Sequence, residues 1–221
     1  MILLLKDWMK WDLIDKILSI CVLIMIISTF IATYYEPIGN DAAYYHLYIP
    51  KTWIQEGRIF YDINHPRSLW PGFSYCLFAG GMLTEGGDPT KAVHIAKWFS
   101  WMFHVLTILL VPTSVMYFMN NKLGARYSTI FIAFIPAIWQ QSLSCYTDGM
   151  MMFFSYAYFL VMILWERSKW SIRGAVIAGC FLAALVSIKY YTLIHAGIIT
   201  SYFMYRLFTS KQIQIYKLKD V

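Results

Sequence analysis

Charge is scarce in this chain: Asp, Glu, Lys and Arg make up 14% of its 221 residues. Hydrophobic residues reach 59% and mean hydropathy is +0.54, against about 45–50% apolar residues in soluble domains. That composition excludes a soluble globular domain and leaves an integral membrane protein. Cysteine is sparse and unpatterned. Cys21, Cys76, Cys145 and Cys180 contain no C-x-x-C pair, and three of them fall in apolar runs where small buried hydrophobes are expected. His46, His65, His94, His104 and His195 form no H-x-H, H-E-x-x-H or H-x3-H spacing, so a metal site would have to be assembled from distant segments. Gly80-Gly81 and Gly86-Gly87 lack a following Lys-Ser/Thr, which excludes a phosphate loop, and no G-x-S-x-G or Cys/His nucleophile pattern is present. Internal repeats and low-complexity segments are missing too.

What the sequence has is long apolar runs. The first, residues 13–33, is longer than a signal-peptide core and is followed by no clear A-x-A site, so it is expected to stay as a membrane span. Further runs at 94–118, 127–145, 149–165, 174–188 and 192–208 bring the expected spans to six. The last two form one stretch too long for a hydrocarbon core of about 30 Å, and a hairpin at Lys189-Tyr190-Tyr191 divides it. The fold class expected is therefore all-α, a polytopic transmembrane helix bundle, with residues 1–221 forming a single module.

The net charge of +6 is no nucleic-acid footprint, because the basic residues stand in short clusters between apolar runs. Twelve of the eighteen Lys and Arg, from Lys6, Lys10 and Lys16 through Lys122, Arg126, Arg167 and Arg206 to Lys219, fall on one side of the expected topology. The positive-inside rule makes that side, with both termini, cytoplasmic. Residues 34–93 then form a long outer loop, dense in Tyr and Trp, that suits helices lying at headgroup level. Asn40-Asp41 is expected to cap a short helix there, restarted at Pro50 and stopped by Gly57. The apolar piece 69–83, punctuated by Pro71, Gly72, Gly80 and Gly81, reads as interfacial or re-entrant.

Three ionisable residues reach the same outer boundary in this topology: Asp41, Asp148 and Lys189. Each has a plainer reading. Asp41 and Asp148 stand where helix N-caps stand, and Lys189 can snorkel to the headgroups. Together they would form an acid/base and anion-binding site. Lys51, Arg58 and Arg67 in the outer loop can grip a phosphate or meet lipid headgroups.

An ordered set of short motifs carries a resemblance. Asp41-Ala42-Ala43-Tyr44-Tyr45-His46-Leu47, Ile49-Pro50-Lys51, Gly57-Arg58, Trp70-Pro71, Tyr146-Thr147-Asp148 and Lys189-Tyr190 resemble the first half of GT-C-type integral membrane glycosyltransferases. That superfamily contains protein O-mannosyltransferases and the aminoarabinose transferases of lipid A, and the nearest likeness is to its bacterial RgtA/B/C/D-like group. The resemblance implies a polyprenyl-phosphate-linked sugar donor, an acceptor (lipid, glycan or protein) at the outer face of the plasma membrane, and inversion at the anomeric carbon. It implies that Asp41 is the general base or orients the acceptor, that Asp148 is a second catalytic carboxylate, orienting the acceptor or helping to hold a metal where a family member uses one, and that Lys189 lies near the donor phosphate. It also brings Tyr45, His46, Lys51 and Arg58 into the substrate-binding set, and leaves open whether a divalent metal takes part. Such enzymes continue for several hundred residues, so a missing C-terminal half or a partner subunit is expected to complete the acceptor site. The rival readings are a catalytically inactive scaffold or partner subunit and, less favoured because the ionisable residues gather at one boundary, a small transporter.

Overall fold

The computed structural model describes residues 12–35, 45–69, 72–84 and 93–209. All regular structure among the described residues is helical. Helix α1 spans Leu13–Ala32; Asp12 caps it by accepting from the Asp15 N–H at 2.9 Å. Only Met25 and Thr29 of α1 are buried, while Leu13, Ile14, Ile17, Leu23, Ile24 and Ile31 are each about half exposed or more. In water that face would be untenable; hydrocarbon is the solvent that suits it. Helices α2 (Tyr48–Glu56) and α3 (Phe73–Thr84) follow, with a 3-10 turn at Pro66–Leu69 between them. Then come α4 (Val93–Met119), α5 (Lys122–Phe134), α6 (Pro136–Ser142), α7 (Asp148–Arg167), α8 (Ile172–Val186) and α9 (Thr192–Thr209). Three helices among the described residues, α1, α4 and α7, are long and apolar enough to cross a membrane.

Several sequence-based boundaries move. Residues 127–145, expected as one span, are two helices, because Pro136 pushes Ile135 into an extended conformation (ψ 117°) and then opens α6 at its first position. Helix α2 begins at Tyr48, with Leu47 at its N-cap position and no side-chain cap hydrogen bond; the cap expected at Asn40-Asp41 lies outside the described residues. Pro50 sits in the first turn of α2, where its missing N–H costs nothing, and Gly57 ends the helix in the left-handed conformation (φ 66°). Residues 69–83 contribute α3, which is a core layer packed between α2 and α4: Tyr75, Phe78 and Met82 are almost wholly buried. The hairpin expected at Lys189-Tyr190-Tyr191 is present, between the end of α8 at Val186 and the start of α9 at Thr192. The Thr192 hydroxyl closes it, donating to the Leu185 and Lys189 carbonyls.

The α3–α4 contact leaves no room for a side chain at Gly81. A Cβ there would stand 2.7 Å from Ile95 Cγ2 and 3.1 Å from Phe99 Cε2. Gly81→Ala is expected to destabilise the protein by about 1–3 kcal/mol, measured by denaturant unfolding in detergent, despite alanine's better helix propensity.

Lys97 links α4 to the end of α1. It is 1% exposed, and its ammonium donates to the Ala32 and Tyr35 carbonyls, placing a cation at the C-terminal end of α1 where the helix dipole favours one. Ser100 donates to the Tyr146 carbonyl at 3.0 Å, so this end of α4 also meets the start of α7. The opposite end of the bundle carries ion pairs: Asp12 and Asp15 with Lys122 and Arg126, and Glu166 with Arg206.

Candidate functional site

The candidate site lies at the end of the bundle where α6 ends, α7 begins and α8 turns into α9. Asp148 is the first residue of α7, not its cap; Thr147 precedes it and makes no capping hydrogen bond. Its carboxylate accepts from Lys189 Nζ at 3.0 and 3.1 Å and from the Tyr191 hydroxyl at 2.9 Å. The helix N-terminus favours a negative group there as well. Lys189 does not snorkel: it is buried, and the tight turn aims its ammonium inward at Asp148. The Phe73 N–H donates to the Ser187 carbonyl at 3.0 Å, anchoring that turn against α3.

Asp148 and Lys189 form one wall of a cavity of about 370 Å³, completed by Tyr45, Ala137, Gln140, Gln141 and Tyr146. Ala137, Gln140 and Gln141 fall on one face of α6, so the break at Pro136 presents two amides to the cavity. The Arg67 guanidinium stacks on the Tyr45 ring at 4.3 Å from its centroid. Tyr45 also packs against His46, with ring centroids 4.1 Å apart, and His46 meets the rings of Tyr75 and Tyr146.

His46 is completely buried, and among the described residues neither ring nitrogen has a hydrogen-bond partner. Burial, followed by the nearby charges of Lys189 and Arg67, pushes its pKa from 6.5 down to about 2. The imidazole is neutral at every physiological pH. Burial also raises the Tyr191 hydroxyl above its ordinary value, and the adjacent Asp148 carboxylate adds to this, so Tyr191 keeps its proton and donates it. Cys145, buried beside the site, is pushed up to about 12 by desolvation and stays an unreactive thiol.

The His46 shift makes stability depend on pH. Between pH 6.5 and 2 the unfolded chain binds a proton that the folded chain refuses, so stability present above 6.5 is lost as the pH falls. Relative to His46→Phe, the wild type is expected to lose about 1.4 kcal/mol per pH unit below 6.5. Unfolding of both proteins in detergent at pH 7.5 and 5 checks this; parallel losses in the two would refute it.

Of the residues singled out by sequence, the structure brings Tyr45, His46, Asp148 and Lys189 together. Lys51 is half-buried on α2, and Arg58 is exposed beyond its end with its guanidinium 5.5 Å from the Phe60 ring; neither lines the cavity. Asp41 lies outside the described residues. Of Lys51, Arg58 and Arg67, only Arg67 touches the cavity wall, by stacking on Tyr45, and it does not line the cavity itself. Gln140, Gln141 and Tyr191 were not anticipated, although a Gln-Gln pair interrupting an apolar run is a signal that sequence reading can use. Among the described residues no three His, Cys, Asp or Glu side chains converge as a metal ion would require. The fold and this site define an all-helical protein of membrane-spanning character with a polar, partly charged cavity at one end. No family model, no curated protein and no solved structure matches the chain.

Proposed function

We propose that this protein is an inverting GT-C-like glycosyltransferase, moving a sugar from a polyprenyl-phosphate-linked donor to an acceptor at the outer face of a bacterial plasma membrane. The observation that carries the reading is the Asp148–Lys189–Tyr191 cluster on the wall of a cavity shared with Tyr45 and Tyr146. In the proposed topology six segments cross the bilayer, with α5 and α6 together making the third crossing. The ion-paired end of the bundle is cytoplasmic and the cavity opens on the outer side, where the lipid-linked donor is met.

In this reading Asp41, four residues before Tyr45, takes the acceptor hydroxyl's proton as the anomeric carbon is attacked. Lys189 and Arg67 stabilise the phosphate as it leaves. Asp148 and Tyr191 act as positioning residues that hold the Lys189 ammonium in place. Gln140 and Gln141 supply amides of the kind that recognise sugar hydroxyls. A partner subunit or further chain would complete the acceptor side.

The rival reading, a non-catalytic scaffold, draws on the same ion pair as a clasp between α7 and the α8–α9 turn. Transfer of radiolabelled sugar from a polyprenyl-phosphate donor pool, in membranes containing the wild type or Asp41→Asn, separates the two. Transfer by the wild type and its loss in the variant is expected; no transfer by well-folded wild type with donor and acceptor supplied would leave the scaffold.

A further inference from the structure

A second cavity, of about 620 Å³, lies far from the candidate site, in a groove between α1, α4 and α5. We propose that it is a binding site for a zwitterionic phospholipid, with one acyl chain along the groove and the headgroup on the four charges at its mouth. The volume falls within the range of about 300–1,000 Å³ usual for small-molecule sites.

The groove's walls are apolar by construction. Val22 and Ile26 of α1 face Ile108 and Pro112 of α4. Three hydroxyls also line it, but each is already satisfied within its own helix: Ser19 donates to Asp15 O at 2.7 Å, Thr113 to Leu109 O at 2.6 Å and Thr129 to Ala125 O at 2.9 Å. What remains is a surface of methyl and methylene groups with little to offer water or a polar ligand.

Length and charge specify the ligand further. Along α1 the lining runs from Asp15 to Ile26, about 16 Å at 1.5 Å per residue. That matches half of a hydrocarbon core about 30 Å thick, the depth that one leaflet's acyl chain occupies. At the mouth, Asp15, Lys122 and Arg126 line the groove, and Asp12, just beyond the lining, pairs with both cations, so two negative charges stand against two positive ones. Lys122 and Asp12 remain 54% and 47% exposed there, so both can take a further partner. A phosphate fits on Lys122 and Arg126, and an ammonium on Asp12 and Asp15. An anionic headgroup would set unbalanced negative charge against the two carboxylates. The chemistry therefore favours a lipid carrying both signs, such as phosphatidylethanolamine, over phosphatidylglycerol.

The test uses the full chain, purified in detergent, stripped of lipid and offered phosphatidylethanolamine or phosphatidylglycerol, with bound lipid counted by native mass spectrometry. One phosphatidylethanolamine per chain is expected, at no less than five-fold higher occupancy than phosphatidylglycerol. Thr113→Trp and Ser19→Trp fill the groove from opposite walls, and each is expected to lower the occupancy at least five-fold. Thr113 is exposed and Ser19 only partly buried, so neither change disturbs a packed core. Equal retention of the two lipids, no retained phospholipid, or unchanged occupancy in a well-folded tryptophan variant would overturn the proposal.

Discussion

Lys189→Met is expected to cost about 3 kcal/mol of stability. The Lys189 side chain is 7% exposed and that of Asp148 22%, so removing the ammonium strands a mostly buried carboxylate with Tyr191 as its remaining side-chain donor among the described residues. Breaking a buried pair from one side costs roughly 3–5 kcal/mol, and the partial exposure of Asp148 places this case at the low end. Adding Asp148→Asn removes the stranded charge and is expected to restore most of the loss, which a double-mutant cycle by denaturant unfolding in detergent reads directly. Single variants within about 0.5 kcal/mol of the wild type would mean that the pair is in effect solvated. Sugar transfer separates stability from chemistry. On the proposed function, Lys189→Met lowers it about 10²–10³-fold, and the double variant, though stable again, does not recover it.

The second large effect concerns Asp41. Replacing a general base typically removes about 10²–10⁴-fold of rate, and Asp41→Asn is expected to fall in that range for sugar transfer. Asparagine caps a helix as well as aspartate does, so the stability of the variant should stay within a few tenths of a kcal/mol of the wild type. Asp41→Ala makes the converse comparison. It removes both capping ability and base, and a cap contributes about 1 kcal/mol. If Asp41 served only as a cap, Asp41→Asn would transfer sugar at the wild-type rate and Asp41→Ala would merely be less stable.

His46 illustrates why part of the site was hard to read from the sequence. As the sixth residue of the Asp41–Leu47 stretch it drew attention by resemblance alone. Its isolation emerges only when Tyr45, Tyr75 and Tyr146, drawn from three separate segments, close around its ring. Arg67 gives the same lesson in reverse. In sequence it stood beside Lys51 and Arg58 as an equivalent outer-loop cation, and it differs from those two because the Pro66–Leu69 turn sets it over Tyr45. Local pattern carries no information on which of three cations a fold will turn inward.

Residue pattern is enough to specify the helical class, the apolar helices α1, α4 and α7, the Gly57 stop and the hairpin at Lys189-Tyr190-Tyr191. Hydrophobic run length, glycine's tolerance of positive φ and the limited thickness of a bilayer are local or compositional constraints. Packing across the fold is what makes α3 a core layer and turns Lys189 to Asp148 instead of letting it snorkel. It also decided that α6 turns Gln140 and Gln141 into the cavity. Each of those outcomes depends on which surfaces meet across long sequence separations, and burial, not residue type, sets whether a charge seeks a partner or water.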